Sequence, residues 1–212
     1  MERSHAPFLS VAGVLVIATS LYRPDRIGEW LLENLLVVLL VVVLVFIHRR
    51  IPLSNTSYWM LFIFLCIHEW GAHHKYADVP LGEWMKGFLG TPRNHYDRVA
   101  HFAFGLCFAY PFQELLIRTG GVQGAWRYYL PVDIALAFGG VYEIIEAGVA
   151  SLINPDSGES FVSMQGDIWD AQKDIALAGI GAALMMTIVA VSHAYRATPE
   201  FARPPAQLTL DR

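Results

Sequence analysis

Leu35-Leu36-Val37-Val38-Leu39-Leu40-Val41-Val42-Val43-Leu44-Val45-Phe46-Ile47, stopped by His48-Arg49-Arg50, is the stretch that decides the class of this chain. With Trp30 at its start it gives a Leu/Val-rich span over 30–47, broken only by Glu33 and Asn34 near its beginning. An α-helix needs about 20 apolar residues to cross a hydrocarbon core of about 30 Å. Working outward, further runs of this kind cover 7–22, 57–70, 96–117, 131–153 and 168–193. Pro52, Pro131 and Pro155 fall where spans begin or stop, as a helix breaker should. The expectation is an all-α, polytopic membrane protein: one domain over 1–212, a bundle of six transmembrane helices, and a disordered tail over 197–212. No internal repeat and no cleavable signal is evident.

Composition agrees with that class and excludes others. Of the 212 residues 55% are hydrophobic and the mean hydropathy is +0.40, too apolar for a soluble domain of this length. No basic cluster suits nucleic acid. Cys66 and Cys107 lie inside apolar runs, which suits packed or lipid-facing thiols better than a disulfide. Lys and Arg in the loops set orientation. With the N-terminus inside, eight fall on the cytoplasmic side and seven outside, and four of those seven lie in the long 68–98 connection. Long loops weigh less in this rule, and setting that one aside leaves eight against three, so both termini are expected in the cytoplasm.

In either orientation the end of span three, the start of four, the end of five and the start of six share one side. The ionisable runs sit at those four places. Five of the eight histidines fall between His68 and His101. Glu143 lies about 15 Å along a helix from Ile153, close to mid-membrane, where a carboxylate costs ~2.5–3.5 kcal/mol even on a permissive scale. Glu146 follows one turn later on the same face. Asp97 and His101 are i, i+4. Asp167, Asp170 and Asp174 are i, i+3, i+7. Glu69 and His73 are i, i+4 if the third helix reaches that far. Seven acids in these runs face Lys75, Arg98 and Lys173 as nearby cations.

Carboxylates with neutral imidazoles on facing helices suit a divalent metal such as zinc, manganese or iron. The expected ligands are Asp97, His101, Glu143, Asp170 and Asp174, with His73 and Asp167 as further candidates. Glu146 or Glu69 would act as general base. Plainer readings stand beside these. Glu143 and Glu146 could pair with Arg98 or Lys173, Asp167 and Asp170 could serve the dipole of the sixth helix, Asp97 and His101 could be a structural pair, and His73 could be solvated. His68-Glu69-Trp70-Gly71-Ala72-His73 is not the zinc-protease pattern, because its histidines are five apart and off a common face. Trp70, Trp84, Trp126 and Trp169 read as interfacial belt residues.

The blocks His68-Glu69-Trp70-Gly71-Ala72-His73-His74-Lys75-Tyr76, Asn94-His95-Tyr96-Asp97-Arg98-Val99-Ala100-His101-Phe102 and Gln165-Gly166-Asp167-Ile168-Trp169-Asp170 resemble the YjdF family of bacterial inner-membrane proteins of unknown function. More distantly, Asp97 and His101, then Glu143, then Asp170, Asp174 and Gly179 are similar to VanZ-like membrane proteins. Asp174 stands where that pattern has Asn, and the Arg-Ser block before its Asp is missing. The resemblance implies a fold and a membrane location and supplies no reaction. The sequence then leaves three functions open. One is a metal-dependent hydrolase or transferase acting on a lipid or lipid-linked envelope substrate. The others are a cation or proton transporter, and a non-catalytic accessory protein in contact with membrane lipids.

Overall fold

The computed structural model describes residues 4–152 and 165–197. Every regular element among them is helical: α1 (Ala6–Ser20), α2 (Ile27–Arg50), α3 (Asn55–His73), α4 (Pro80–Leu89), α5 (Tyr96–Gly120), α6 (Trp126–Leu152) and α7 (Asp170–Ala197). The chain is thus an all-α membrane protein. By length and composition α2, α6 and α7 can each cross a membrane, and α1 is a shorter apolar helix. Arg3, Ile153, Pro155 and the tail beyond Ala197 lie outside the described residues.

Two expectations about the helices change. The 68–98 connection contains a helix of its own, α4, which Gly90 ends in the left-handed conformation at φ 64°. Trp84 and Phe88 stack on its exposed side with ring centroids 5.6 Å apart, while Gly82 is buried. An aromatic outer face of this kind belongs at a membrane interface. Pro131 does not begin a helix but sits inside α6, which starts at Trp126. A proline there leaves the carbonyl four residues back without its helical donor. That carbonyl belongs to Arg127, and the Gln113 side chain of α5 donates to it at 2.9 Å. The donor from a neighbouring helix is what lets α6 run through its proline.

Helix α5 is central, packing against α3, α6 and α7, and α3 in turn packs against α1. Small residues bring α5 and α7 close. A Cβ on Gly105 would lie 1.8 Å from the Ala178 carbonyl oxygen, and one on Gly181 would lie 2.2 Å from that of Phe102. Backbone-to-backbone approach of this kind is how small residues pack membrane helices. The seam fixes the register of the polar residues one turn away: Gly105 follows His101 by four residues, and Ala178 follows Asp174 by four. Helix α2 is the thinly attached element and packs chiefly on α3. Its buried residues Trp30, Glu33, Asn34 and Val37 form one face, and most of the rest is exposed leucine and valine.

Candidate metal centre

Residues in the first two turns of α5 and α7 build the site. Asp97, His101 and Asp174 are all buried, and each offers a ligand atom such that the three atoms lie within 4.8 Å of one another. Asp174 is 1% exposed and its Oδ1 has no hydrogen-bond partner. From α6, Glu143 brings Oε1 to 3.3 Å from His101 Nε2, and that oxygen is also buried without a hydrogen bond. Asp97 Oδ1 lies 3.6 Å from the same nitrogen. Ligands held at about 2.1 Å around one ion stand roughly 3–3.5 Å apart. Glu143 Oε1 and Asp97 Oδ1 thus lie near that range from one imidazole nitrogen.

Arginine and lysine neutralise one side of the cluster only. The buried Arg93 reaches Asp170 at 2.5 Å and Asp97 at 3.4 Å. Arg98 bonds Asp167 and lies 3.6 Å from Asp170, and Lys173 meets Asp167 at 2.6 Å. Asp167 lies before α7, and its carboxyl is held well below the usual carboxylate range, first by the Lys173 hydrogen bond and then by the Trp169 backbone N–H. Among the described residues no lysine or arginine forms an ion pair with Glu143, Glu146 or Asp174. The plainer alternative, in which the two glutamates pair with Arg98 or Lys173, is not seen among the described residues: those cations serve the aspartates before and at the start of α7. Lys75, also counted as a nearby cation, pairs with Asp78 at 2.6 Å. Arg93 takes its place. The i, i+4 spacing of Arg93 and Asp97 was the available signal for it.

Glu69 and His73 share a face, because α3 does continue to His73, but that face looks toward α1. The Ser20 hydroxyl donates to Glu69, Trp30 Nε1 donates to Ser20 Oγ at 2.9 Å, and His73 Nδ1 lies 2.8 Å from the Ser20 carbonyl. Neither residue belongs to the trio. Nearby, the Tyr76 hydroxyl lies 2.7 Å from His68 Nδ1, and burial pushes that phenol well above its ordinary value. A buried acid that went unremarked also belongs here: Glu33 of α2, whose Oε2 accepts from Tyr142 at 3.2 Å. Tyr142 packs edge-on against His101 with centroids 5.5 Å apart. An acid one turn into the most apolar run was the visible sign.

Loop residues in the same blocks form a clasp. Asn94 accepts from the Tyr96 N–H at 3.0 Å and donates to the Val79 carbonyl and to Glu83, each at 3.1 Å. Its own N–H donates to Gln165 at 2.8 Å, which ties α4, α5 and the approach to α7 together. At the N-cap of α5, His95 Nδ1 accepts from Arg98 at 3.2 Å while Nε2 lies 2.7 Å from Thr91 Oγ1. Burial, then Arg98 and Arg93, hold that imidazole below its usual value, which suits a neutral ring.

Comparison with known proteins agrees with the first resemblance. Inner membrane protein YjdF of Escherichia coli (strain K12) is 34% identical over 181 residues, which is 85% of this chain and 86% of the relative. No solved structure matches the chain. Neither the relative nor the family description names a metal, a substrate or a reaction, and the VanZ-like likeness gains no support from them. The model of the predicted membrane protein family DUF2238 matches residues 6–195, and the chain belongs to that family.

Proposed function

We propose that Asp97, His101 and Asp174, completed by Glu143, hold one divalent cation (zinc, manganese or iron) inside the membrane. The protein would then be a metal-dependent hydrolase or transferase acting on a lipid or lipid-linked envelope substrate at the inner membrane, with the site toward the outer leaflet and both termini in the cytoplasm. The observation that carries this reading is Asp174: an acid 1% exposed, with an unpartnered oxygen, whose ligand atom lies within 4.8 Å of those of Asp97 and His101 on the facing helix. Uncompensated carboxylates in a low-dielectric interior require a cation or protons. One imidazole with carboxylate oxygens suits a borderline or hard dication.

A bound dication would polarise a phosphoryl or acyl oxygen and make a bound water more acidic. The chain supplies the rest. Arg93 fixes the Asp97 and Asp170 carboxylates, the outer-shell role that orients ligands. Asp170 and Asp167 face the arginines and Lys173, so their part is to position the site. Glu146 carries no hydrogen bond or ion pair among the described residues and lies within electrostatic range of Asp97, Glu143 and Asp174, so it is the general base this geometry favours. Glu69 is engaged by Ser20 and is the weaker candidate. Transport would need a wetted path past Phe104, Phe108 and Phe112, whose rings pack on one another at 4.7 and 5.7 Å below the site.

Elemental analysis of the purified protein tests the proposal. Wild type should carry about one ion per chain, and Asp174→Asn and Glu143→Gln should lose it while eluting as folded protein. Wild type free of metal after supplementation with zinc, manganese and iron would overturn it.

A further inference from the structure

A cleft lies between α2 and α6, beside the site: Tyr142, which lines it, packs edge-on against His101. Its walls include Leu36, Ile145 and Val149, and Glu33, Tyr142 and Glu146 form its polar end. The space measures about 50 Å³. Both helices that frame it are among those able to cross a membrane, and both turn exposed apolar side chains outward around it, so its mouth faces hydrocarbon. Glu33 and Glu146 are 7% and 6% exposed. Glu33 receives one hydrogen bond, from Tyr142, and Glu146 receives none among the described residues. Glu146 feels the charges of Asp97 and Glu33, Glu33 feels that of Asp97, and among the described residues neither is paired with lysine or arginine. Two desolvated carboxyls thus look into an apolar passage with acceptor capacity left over.

We propose that this cleft is a lateral seat for the primary ammonium end of a membrane amphiphile. Charge selects the class, because an anionic head would meet two acids with no cation between them. A second divalent metal is disfavoured: the seat holds no imidazole, and hard dications need about six oxygen ligands. Volume agrees, since 50 Å³ is several times the ~10–15 Å³ that one water needs on the same measure, and it admits an ammonium group. An ammonium has three donors, which Glu33 and Glu146 can accept. Helix α2 is the thinly attached wall, so the passage can widen without disturbing the α5–α7 seam. The inference deepens the proposed function by naming the charged end of the substrate, and it rests on that reading only for what the seat is for.

Native mass spectrometry of the full chain in detergent, stripped of metal by chelation, tests it with phosphatidylethanolamine, phosphatidylglycerol and phosphatidylcholine of identical acyl chains. Wild type should retain the ethanolamine lipid over the other two by about tenfold, or ~1.4 kcal/mol. Glu33→Gln with Glu146→Gln should bring the three to within about twofold, and Val149→Trp should weaken ethanolamine-lipid binding by filling the cleft. Equal retention in wild type, or a preference that survives the double substitution, would overturn the proposal, and so would choline binding as tight as ethanolamine, since a quaternary head cannot donate. Metal content, read before chelation, separates the two ideas: an absent ion with intact lipid preference sinks the metal centre alone, and the reverse sinks the seat alone.

Discussion

The two ends of α5 hold carboxylates in opposite condition. Near its C-terminus Glu114 is saturated. The Ser54 N–H and hydroxyl donate to it at 2.7 and 2.8 Å, the Ser57 hydroxyl donates as well, and Arg118 pairs with it at 2.6 Å. Every oxygen has a donor, and the group staples the start of α3 to α5. At the N-terminal end Asp97 shares one arginine with Asp170, while Asp174 Oδ1 and Glu143 Oε1 have no hydrogen bond at all. An acid kept for architecture is surrounded by donors. A group of acids left in excess of its donors is poised for a positive charge from outside the chain.

That contrast can be broken by measurement. The largest effect should come from Asp97→Asn or Asp174→Asn, which should weaken metal affinity by more than the ~10–100-fold typical of outer-shell changes, while Glu114→Gln leaves it unchanged; metal titration of purified protein reads both. Next in size, Gly105→Leu should destabilise by about 1–3 kcal/mol or more, because a side chain there meets the Ala178 backbone. A lower unfolding temperature together with lost metal would tie the seam to the site. Glu114→Gln should cost about 1 kcal/mol, as expected when a half-buried charged acceptor is weakened toward its donors, and appear in thermal unfolding without any change in metal content.

The smallest effect concerns pH. Asp167 has a folded pKa depressed below its unfolded value of about 3.9. Its contribution is therefore present above that value and is lost as pH falls through the folded pKa. Hydrogen exchange at the first turn of α7 should accelerate below about pH 4 in wild type, and Asp167→Asn should show fast exchange at every pH. An unchanged first turn in that variant would mean that the Arg98–Asp167–Lys173 contact does not hold the helix start.

Much of this was legible from apolar run lengths and from which loop ends share a side. The convergence of Asp97, His101, Glu143 and Asp174 follows from antiparallel helices alone. Other features were not legible for physical reasons. The helix over 80–89 sits in a polar connection whose amphipathic period spans fewer than three turns. Pro131 reads as a helix start unless the donation from Gln113 to the Arg127 carbonyl is known, and that is a contact between helices. Glu33 was masked by the apolar residues after it, and Arg93 by a loop in which several cations compete for the same aspartates. Glu69 and His73 were correctly placed on one face, but pattern alone could not say that the face meets Ser20.

The glycine contacts between α5 and α7 carry a mechanical consequence. Where two backbones already touch, no side chain is left to rotate aside, so that half of the molecule behaves as a fixed anvil. Any breathing that admits a reactant must come from the opposite wall. Spin labels on α2 and α6 should therefore change their spacing on ligand addition, while a pair spanning α5 and α7 stays still.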